Sequence, residues 1–185
     1  VSYGGWFNLD ALQSASGNDG GMLLRHGAYD EGSEESEQYN GIYEVGFNGD
    51  GTLFFGHEYG TGSNAISTST DTISTDEWVH LFVVRDDASQ EYMLYINGSV
   101  EGTYSYSNSP TGGGSGQFIV GTVQNNTVDG AGLGGTQEFA MQGNADEVRV
   151  YDSAVTDTRV QEIFNGTEEG GTEYSEVPSF DNEVP

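Results

Sequence analysis

The feature that most constrains this fold is an Asn-Gly pair placed between two apolar runs. Residues 78–85 read Trp-Val-His-Leu-Phe-Val-Val-Arg, and residues 92–96 read Tyr-Met-Leu-Tyr-Ile immediately before Asn97 and Gly98. Asn-Gly between apolar runs is the strongest short-range signal of a β-hairpin, because both residues tolerate the positive φ that the turn needs. The pattern predicts consecutive antiparallel strands joined by tight turns.

Turn residues divide most of the chain in the same way. Asn-Gly-Asp-Gly at residues 48–51 predicts a hairpin between strands at residues 42–47 and 52–57. Residues 2–9, 22–26, 98–106 and 139–152 are also predicted to be strands, residues 118–121 a short buried strand, and residues 67–74 an edge strand or a loop. With 29 glycines in 185 residues, the composition is typical of many short strands linked by turns.

One helix is predicted near the C-terminus. Thr156 is a favourable N-cap, Asp157 suits the first turn, and Asn165-Gly166 ends the helix. No strand alternates with a helix, so residues 1–166 are predicted to form an all-β, antiparallel two-sheet jelly-roll sandwich with one short C-terminal helix. Residues 167–185 are predicted to be an acidic tail or linker.

The charge of the chain is extreme. It has 30 acidic residues, four arginines and no lysine, for a net charge of −26. At molar salt the Debye length falls to about 3 Å and screens such self-repulsion, which favours a protein from a high-salt environment over an acidic, calcium-binding extracellular protein. Nucleic acids and anionic membranes are disfavoured as partners. There is no cysteine for a disulfide framework, and no apolar run approaches the ~20 residues of a membrane span.

Five motifs in order carry a family resemblance. They are Gly5-Trp6-Phe7, Trp78-Val79-His80, the Tyr95-to-Gly98 hairpin, Ile119-Val120-Gly121 and the segment from Gly143 to Thr156. In this order they resemble the laminin-G-like, pentraxin-type branch of the concanavalin A-like lectins and glucanases. The resemblance implies a jelly roll with Trp6, Trp78 and Val148 in its core, and an extracellular protein that binds sugars or glycoproteins. His80 is interpreted as a packed strand histidine rather than a ligand.

The resemblance also implies a calcium site. Asn40, Gln124 and Asn125 stand where pentraxin-type relatives hold the ion. Val123 replaces an expected carboxylate, for which Asp129 or Glu138 could substitute. Oxygen ligands of this kind suit Ca²⁺.

The leading functional hypothesis is a non-catalytic recognition module that binds a glycan or a glycoprotein through rim loops at residues 28–38, 61–74, 105–116 and 125–137. Tyr29, Tyr59, Tyr104 and Tyr106 are candidates for stacking on sugar rings. Such a module would be part of a cell-surface adhesin, a secreted enzyme or a virus fibre, at an extracellular, cell-surface or virion location.

Two alternatives stay open. One is a structural building block that assembles into a homo-oligomer, filament, surface layer or virion, because the family usually has a strand before the first motif and the open edge could accept a neighbour's strand. The other, less favoured, is a glycoside hydrolase. Retaining glucanases need two carboxylates about 5–5.5 Å apart, and the nearest strand pair, Asp146 and Glu147, would point to opposite faces.

Overall fold

The computed structural model describes residues 1–14, 17, 19–26, 43–59, 64–110, 118–124 and 137–167. These residues form twelve strands and one helix. In chain order the elements are β1 (Ser2–Leu9), β2 (Gly21–His26), β3 (Tyr43–Phe47), β4 (Thr52–Glu58), β5 (Asn64–Thr72), β6 (Trp78–Asp86), β7 (Glu91–Ile96), β8 (Ser99–Ser105), β9 (Phe118–Val120), β10 (Val123–Gln124), β11 (Gln137–Glu138), β12 (Gly143–Tyr151) and α1 (Asp157–Asn165).

The strands form two five-stranded antiparallel sheets. The first sheet has the order β12-β1-β6-β7-β8, the second has the order β5-β4-β3-β2-β9, and β10 and β11 form a separate pair. A shared core of buried side chains from both sheets lies between them, including Tyr3, Phe7, Val45, Phe55 and Leu81. The predicted all-β, two-sheet sandwich is confirmed.

The strand β6 is apolar along its length because both of its faces are covered. Leu81 and Val83 belong to the core between the sheets, whereas Phe82 and Val84 belong to a second cluster on the opposite face. Val160 of α1 packs into that second cluster, so the helix forms a third layer outside the first sheet.

Two local predictions are confirmed, the turn at Asn97-Gly98 and the two caps of α1. Asn97 and Gly98 have φ values of 50° and 75°, as the predicted hairpin turn requires. Thr156 caps α1 by accepting a hydrogen bond from the Arg159 backbone N–H, and Gly166, with φ of 63°, ends the helix. The side-chain amide of Gln161 donates to the Gly98 carbonyl, which fastens the helix to the hairpin.

Of the three side chains predicted in the core, Trp78 is exposed and the prediction was wrong, whereas Trp6 and Val148 are partly buried. Trp78 is 46% exposed, because the alternation that turns Val79 and Leu81 into the core turns Trp78 to the other face. Trp6 is half-buried on that same face, where it stacks on Phe164 of α1 at a centroid distance of 5.5 Å. Val148 is partly buried against the core between the sheets.

Strand β9 and the 61–74 segment also differ from expectation. The strand predicted to be buried exposes Phe118 (39%) and Val120 (40%), because it is the last strand of its sheet. The predicted rim loop at 61–74 is instead largely β5, an edge strand, which was one of the two alternatives for residues 67–74. The whole of the predicted loop at 28–38, residues 111–116 of the loop at 105–116, residues 125–136 of the loop at 125–137 and residues 168–185 of the tail at 167–185 lie outside the described residues.

A β-bulge interrupts β12. Gly4 pairs with Arg149 but Trp6 pairs with Asp146, so Glu147 and Val148 together lie opposite Gly5. Glu147 has a φ of 49°, as a bulge residue with one extra position can adopt. The bulge explains why Ala145 and Val148, three residues apart, both pack against the same core.

Candidate functional site: a groove between two edge strands

A groove of 360 Å³ lies where β5 and β8, edge strands of the two sheets, approach one another. We call it the edge groove. None of the described residues that line it is charged: Tyr59, Ala65, Ile66, Ser67, Ser105, Tyr106 and Ser107. Aromatic and apolar side chains with a few hydroxyl groups are the usual lining of small-molecule sites.

The structure brings two of the four predicted tyrosines together. Tyr59 and Tyr106 both line the edge groove. Tyr104 does not line it; its ring packs edge-on against Phe55 at 5.0 Å. Tyr29 lies outside the described residues.

Tyr106 is a fixed wall of the groove. Its side chain is only 9% exposed, and its hydroxyl donates a 2.6 Å hydrogen bond to Asp87 Oδ1. Burial and this bond raise the pKa of Tyr106, so the hydroxyl stays protonated. Asp87 is itself held by Arg85, with Nε at 3.0 Å from Oδ1 and Nη2 at 3.2 Å from Oδ2.

His57 holds the segment after β8 in place. The imidazole is fully buried, and its Nε2 lies 2.5 Å from the Asn108 carbonyl oxygen. Because a carbonyl only accepts, Nε2 carries the hydrogen and Nδ1 accepts from the Tyr92 hydroxyl. Burial lowers the pKa of His57, so the ring is neutral and this tautomer ties β4 to the wall that contains Tyr106.

Glu101 joins the same two edge strands, β5 and β8, away from the residues that line the groove. Its Oε1 accepts hydrogen bonds from the Thr70 backbone N–H (2.7 Å), the Thr70 hydroxyl (2.8 Å) and the Asp71 backbone N–H (3.2 Å). Its Oε2 accepts from the Tyr104 hydroxyl at 2.6 Å. Burial raises the pKa of Glu101, but these bonds outweigh it and lower the pKa overall. Sequence reasoning missed Glu101, since nothing in the pattern of β8 distinguishes it from a solvent-facing acid.

The described residues do not test the predicted calcium site. Asn40, Asn125 and Asp129 lie outside the described residues. Gln124 in β10 pairs with Gln137, and Glu138 in β11 pairs with Val123, which puts the backbones of Gln124 and Glu138 on adjacent strands, one residue out of register. Among the described residues, no group of three or more His, Asp or Glu side chains is placed so that it could hold a metal ion.

The described part of the chain contains no helix with the length and apolar character needed to cross a membrane.

A family model described as the concanavalin A-like lectin/glucanases superfamily matches residues 2–161. No curated protein matches the chain in sequence.

Solved structures share the fold at low sequence identity. A heptameric SAP-like pentraxin from Limulus polyphemus is 20% identical with a TM-score of 0.60, covering 88% of this chain and 68% of that chain. The CBM40 of the Ruminococcus gnavus IT-sialidase, bound to α2,3-sialyllactose, is 14% identical with a TM-score of 0.61, covering 90% and 82%. Domain 4 of an extracellular arabinanase from Geobacillus stearothermophilus, in complex with arabinotriose, is 19% identical with a TM-score of 0.57, covering 88% and 65%.

Proposed function

The chain belongs to the concanavalin A-like lectin/glucanase superfamily, and from this premise we propose that it is a non-catalytic module that binds glycans in the edge groove. The observation that carries the proposal is the convergence of Tyr59 and Tyr106 with three serines around one groove, whose described lining residues are all uncharged. Two of the similar structures, the CBM40 and the arabinanase domain, are complexes with oligosaccharides.

The groove lining suits a sugar ring. Tyr59 is half-buried and offers part of its ring to the apolar face of a pyranose or furanose. Tyr106 is too buried to stack in this way and serves as a wall. The hydroxyl groups of Ser67, Ser105 and Ser107 can each donate and accept hydrogen bonds with sugar hydroxyls. The volume falls within the range of about 300–1,000 Å³ that is common for small-ligand sites.

The groove is also held in shape before a ligand arrives. One wall is fixed by the Tyr106–Asp87–Arg85 chain, and the segment behind it by the His57–Asn108 bond. A site that is ordered in advance loses less conformational entropy on binding, which supports recognition of a short saccharide.

The described lining residues include no carboxylate, so none of them can form the pair that glycoside hydrolysis requires. We therefore expect the protein to bind oligosaccharides without cleaving them, which chromatography of the sugars after long incubation would check.

The proposal is tested by calorimetric titration with oligosaccharides that bind on a glycan array. Tyr59→Ala should weaken binding by at least about tenfold, as expected of an aromatic anchor at a binding site. Trp78→Ala is the matched control, because it removes an exposed aromatic ring from the helix-covered face of the first sheet, away from the groove. Unchanged affinity in Tyr59→Ala, or an equal loss in both variants, would contradict the proposal.

The biological setting is part of the same proposal. We place the module in a larger extracellular protein of a high-salt environment, such as a cell-surface adhesin or a virus fibre, and the net charge of −26 supports the salt adaptation. Calcium stays a prediction. Repeating the titration in EDTA would test it, with loss of binding expected if the predicted ion supports the groove.

A further inference from the structure

Every cationic side chain of this chain is engaged with a carboxylate. The sequence has four arginines and no lysine. Each arginine forms at least one ion pair within the described structure: Arg25 with Glu44 and with Glu58 (3.1 Å), Arg85 with Asp87 (3.0 Å), Arg149 with Glu147 (2.7 Å) and Arg159 with Glu162 (3.0 Å).

Arg85 is the arginine linked to the edge groove, through Asp87 and Tyr106. Its positive charge is neutralised by Asp87. Its side chain is buried, its Nη2 donates a hydrogen bond to Asp87 Oδ2, and its Nε lies 3.0 Å from Asp87 Oδ1. Asp87 Oδ1 in turn accepts the Tyr106 hydroxyl at 2.6 Å. Asp87 therefore stands between Arg85 and Tyr106, which lines the groove.

Among the described residues, no net positive side-chain charge lies behind the groove, because Asp87 neutralises Arg85, and Glu101 on β8 adds a negative charge to one of the two edge strands. Asp87 lies behind Tyr106, and Glu101 lies beside Tyr104. Hydrogen bonds from their partners outweigh the effect of burial and lower the pKa of both carboxyls, so both are ionised at neutral pH. A bound carboxylate or sulfate would meet the net charge of −26 of the chain and no side-chain guanidinium or ammonium group that is not already paired with a carboxylate.

We propose that the edge groove selects neutral oligosaccharides and rejects sialylated, uronate-containing and sulfated ones. The proposal rests on the proposed function and adds the class of ligand. Proteins ordinarily hold carboxylate and sulfate groups with Arg or Lys. This chain has no lysine, and each of its four arginines is already paired with a carboxylate. The CBM40 that is bound to α2,3-sialyllactose shares the fold, so the preference proposed here comes from the side chains of this groove rather than from the fold.

The experiment is a glycan microarray with matched pairs, each neutral oligosaccharide printed beside its α2,3-sialylated form, with lactose and α2,3-sialyllactose as the first pair. It is run in EDTA, so that no divalent cation bridges the acid to the protein. Binding is measured from 1 M NaCl down to the lowest salt at which the circular dichroism spectrum is native.

The neutral member of each pair should bind at least about tenfold more tightly at the lowest salt. This ratio should shrink toward 1 M, where the Debye length is about 3 Å. Sialylated glycans that bind as well as or better than neutral ones would overturn this inference while leaving the glycan-binding proposal standing. Failure of every glycan to bind, both in EDTA and in a parallel array with added CaCl2, would overturn both.

A gain-of-function pair provides a second test. Ser107→Lys adds a cation at the exposed rim of the groove, and Ser107→Gln adds similar length without charge. The Lys variant should raise the sialyllactose-to-lactose affinity ratio at least about threefold over the Gln variant. Equal ratios in the two variants would overturn the inference, because charge would then not decide the preference.

Discussion

Acid should destabilise the protein through His80. The imidazole is buried on the helix-covered face of the first sheet, with the rings of Trp6 at 5.2 Å, Phe82 at 5.9 Å and Phe164 at 5.5 Å. Its Nδ1 finds no hydrogen-bond partner among the described residues. Burial, and secondarily the charge of Arg149, lowers the pKa of His80 from 6.5 to about 4.

The size and direction of the effect follow from that shift. A buried neutral histidine contributes stability that is fully present above pH 6.5 and is lost as the pH falls toward 4, because the unfolded chain binds the proton more readily. Each pKa unit is worth about 1.4 kcal/mol, which gives about 3 kcal/mol for His80. Because only a single helix separates the His80 ring from water, solvent screening reduces this contribution to about 2 kcal/mol.

The assay is urea denaturation at pH 7 and pH 4 in constant high salt, comparing the protein with His80→Phe. The many carboxylates titrate in both proteins, so their effect cancels in the difference. Between pH 7 and pH 4, the free energy of unfolding of the unsubstituted protein should therefore fall by about 2 kcal/mol more than that of His80→Phe. His26→Phe is the matched control: His26 also stacks on an aromatic ring, Tyr43 at 5.0 Å, but is part exposed, so its effect should be smaller. Equal pH dependence in the protein and in His80→Phe would refute the reasoning.

Three further outcomes are expected. Gly98→Ala should lower the free energy of unfolding by about 2 kcal/mol or more, because the added Cβ would lie 2.6 Å from Phe164 Cδ1. Gly17→Ala is the control for the backbone cost alone, because Gly17 has a φ of 83° and nothing lies within 4 Å of the added Cβ. An equal loss of stability in the two variants would contradict a clash with Phe164. Arg25→Met should cost about 3–5 kcal/mol in chemical denaturation by leaving buried Glu44 without its ion pair, and adding Glu44→Gln should recover part of it; no recovery would argue against the pair. The melting temperature should rise between 0.2 and 2 M KCl, because salt screens a net charge of −26, and a flat profile in calorimetry would count against salt adaptation.

The parts of the fold that depend on local chemistry were predictable from the sequence. Asn97-Gly98 and the Thr156 and Gly166 caps act within a few residues of themselves, so their neighbours in sequence are enough to determine the outcome. Alternation likewise located most strands, because the period of two holds wherever one face is buried.

The choice of face depended on contacts that the pattern does not contain. A large apolar side chain such as Trp78 satisfies the strand pattern on either face, and the helix that covers its neighbours Phe82 and Val84 does not cover it. The bulge at Glu147 shifts the alternation of β12 by one residue, and a single glutamate in a strand gives no sign of it.

The candidate site was predicted only in part for the same reason. Aromatic rings suit sugars, which makes Tyr59 and Tyr106 candidates from the sequence, but their proximity arises from the approach of β5 and β8 at the edges of different sheets. Tyr104, chosen on the same ground, is occupied by Phe55 and Glu101 instead. Long-range pairing of this kind leaves no local trace in the sequence.

The position of β1 has a consequence for biosynthesis. This strand lies between β6 and β12, so a ribosome that delivers it first must make most of the domain before its second neighbour exists. At about 5–20 residues per second, the interval between Leu9 and Gly143 is roughly 7 to 27 seconds. Throughout it at least one edge of β1 stays unpaired and open to an extended peptide, and the net charge of −26 opposes pairing with another copy of the chain.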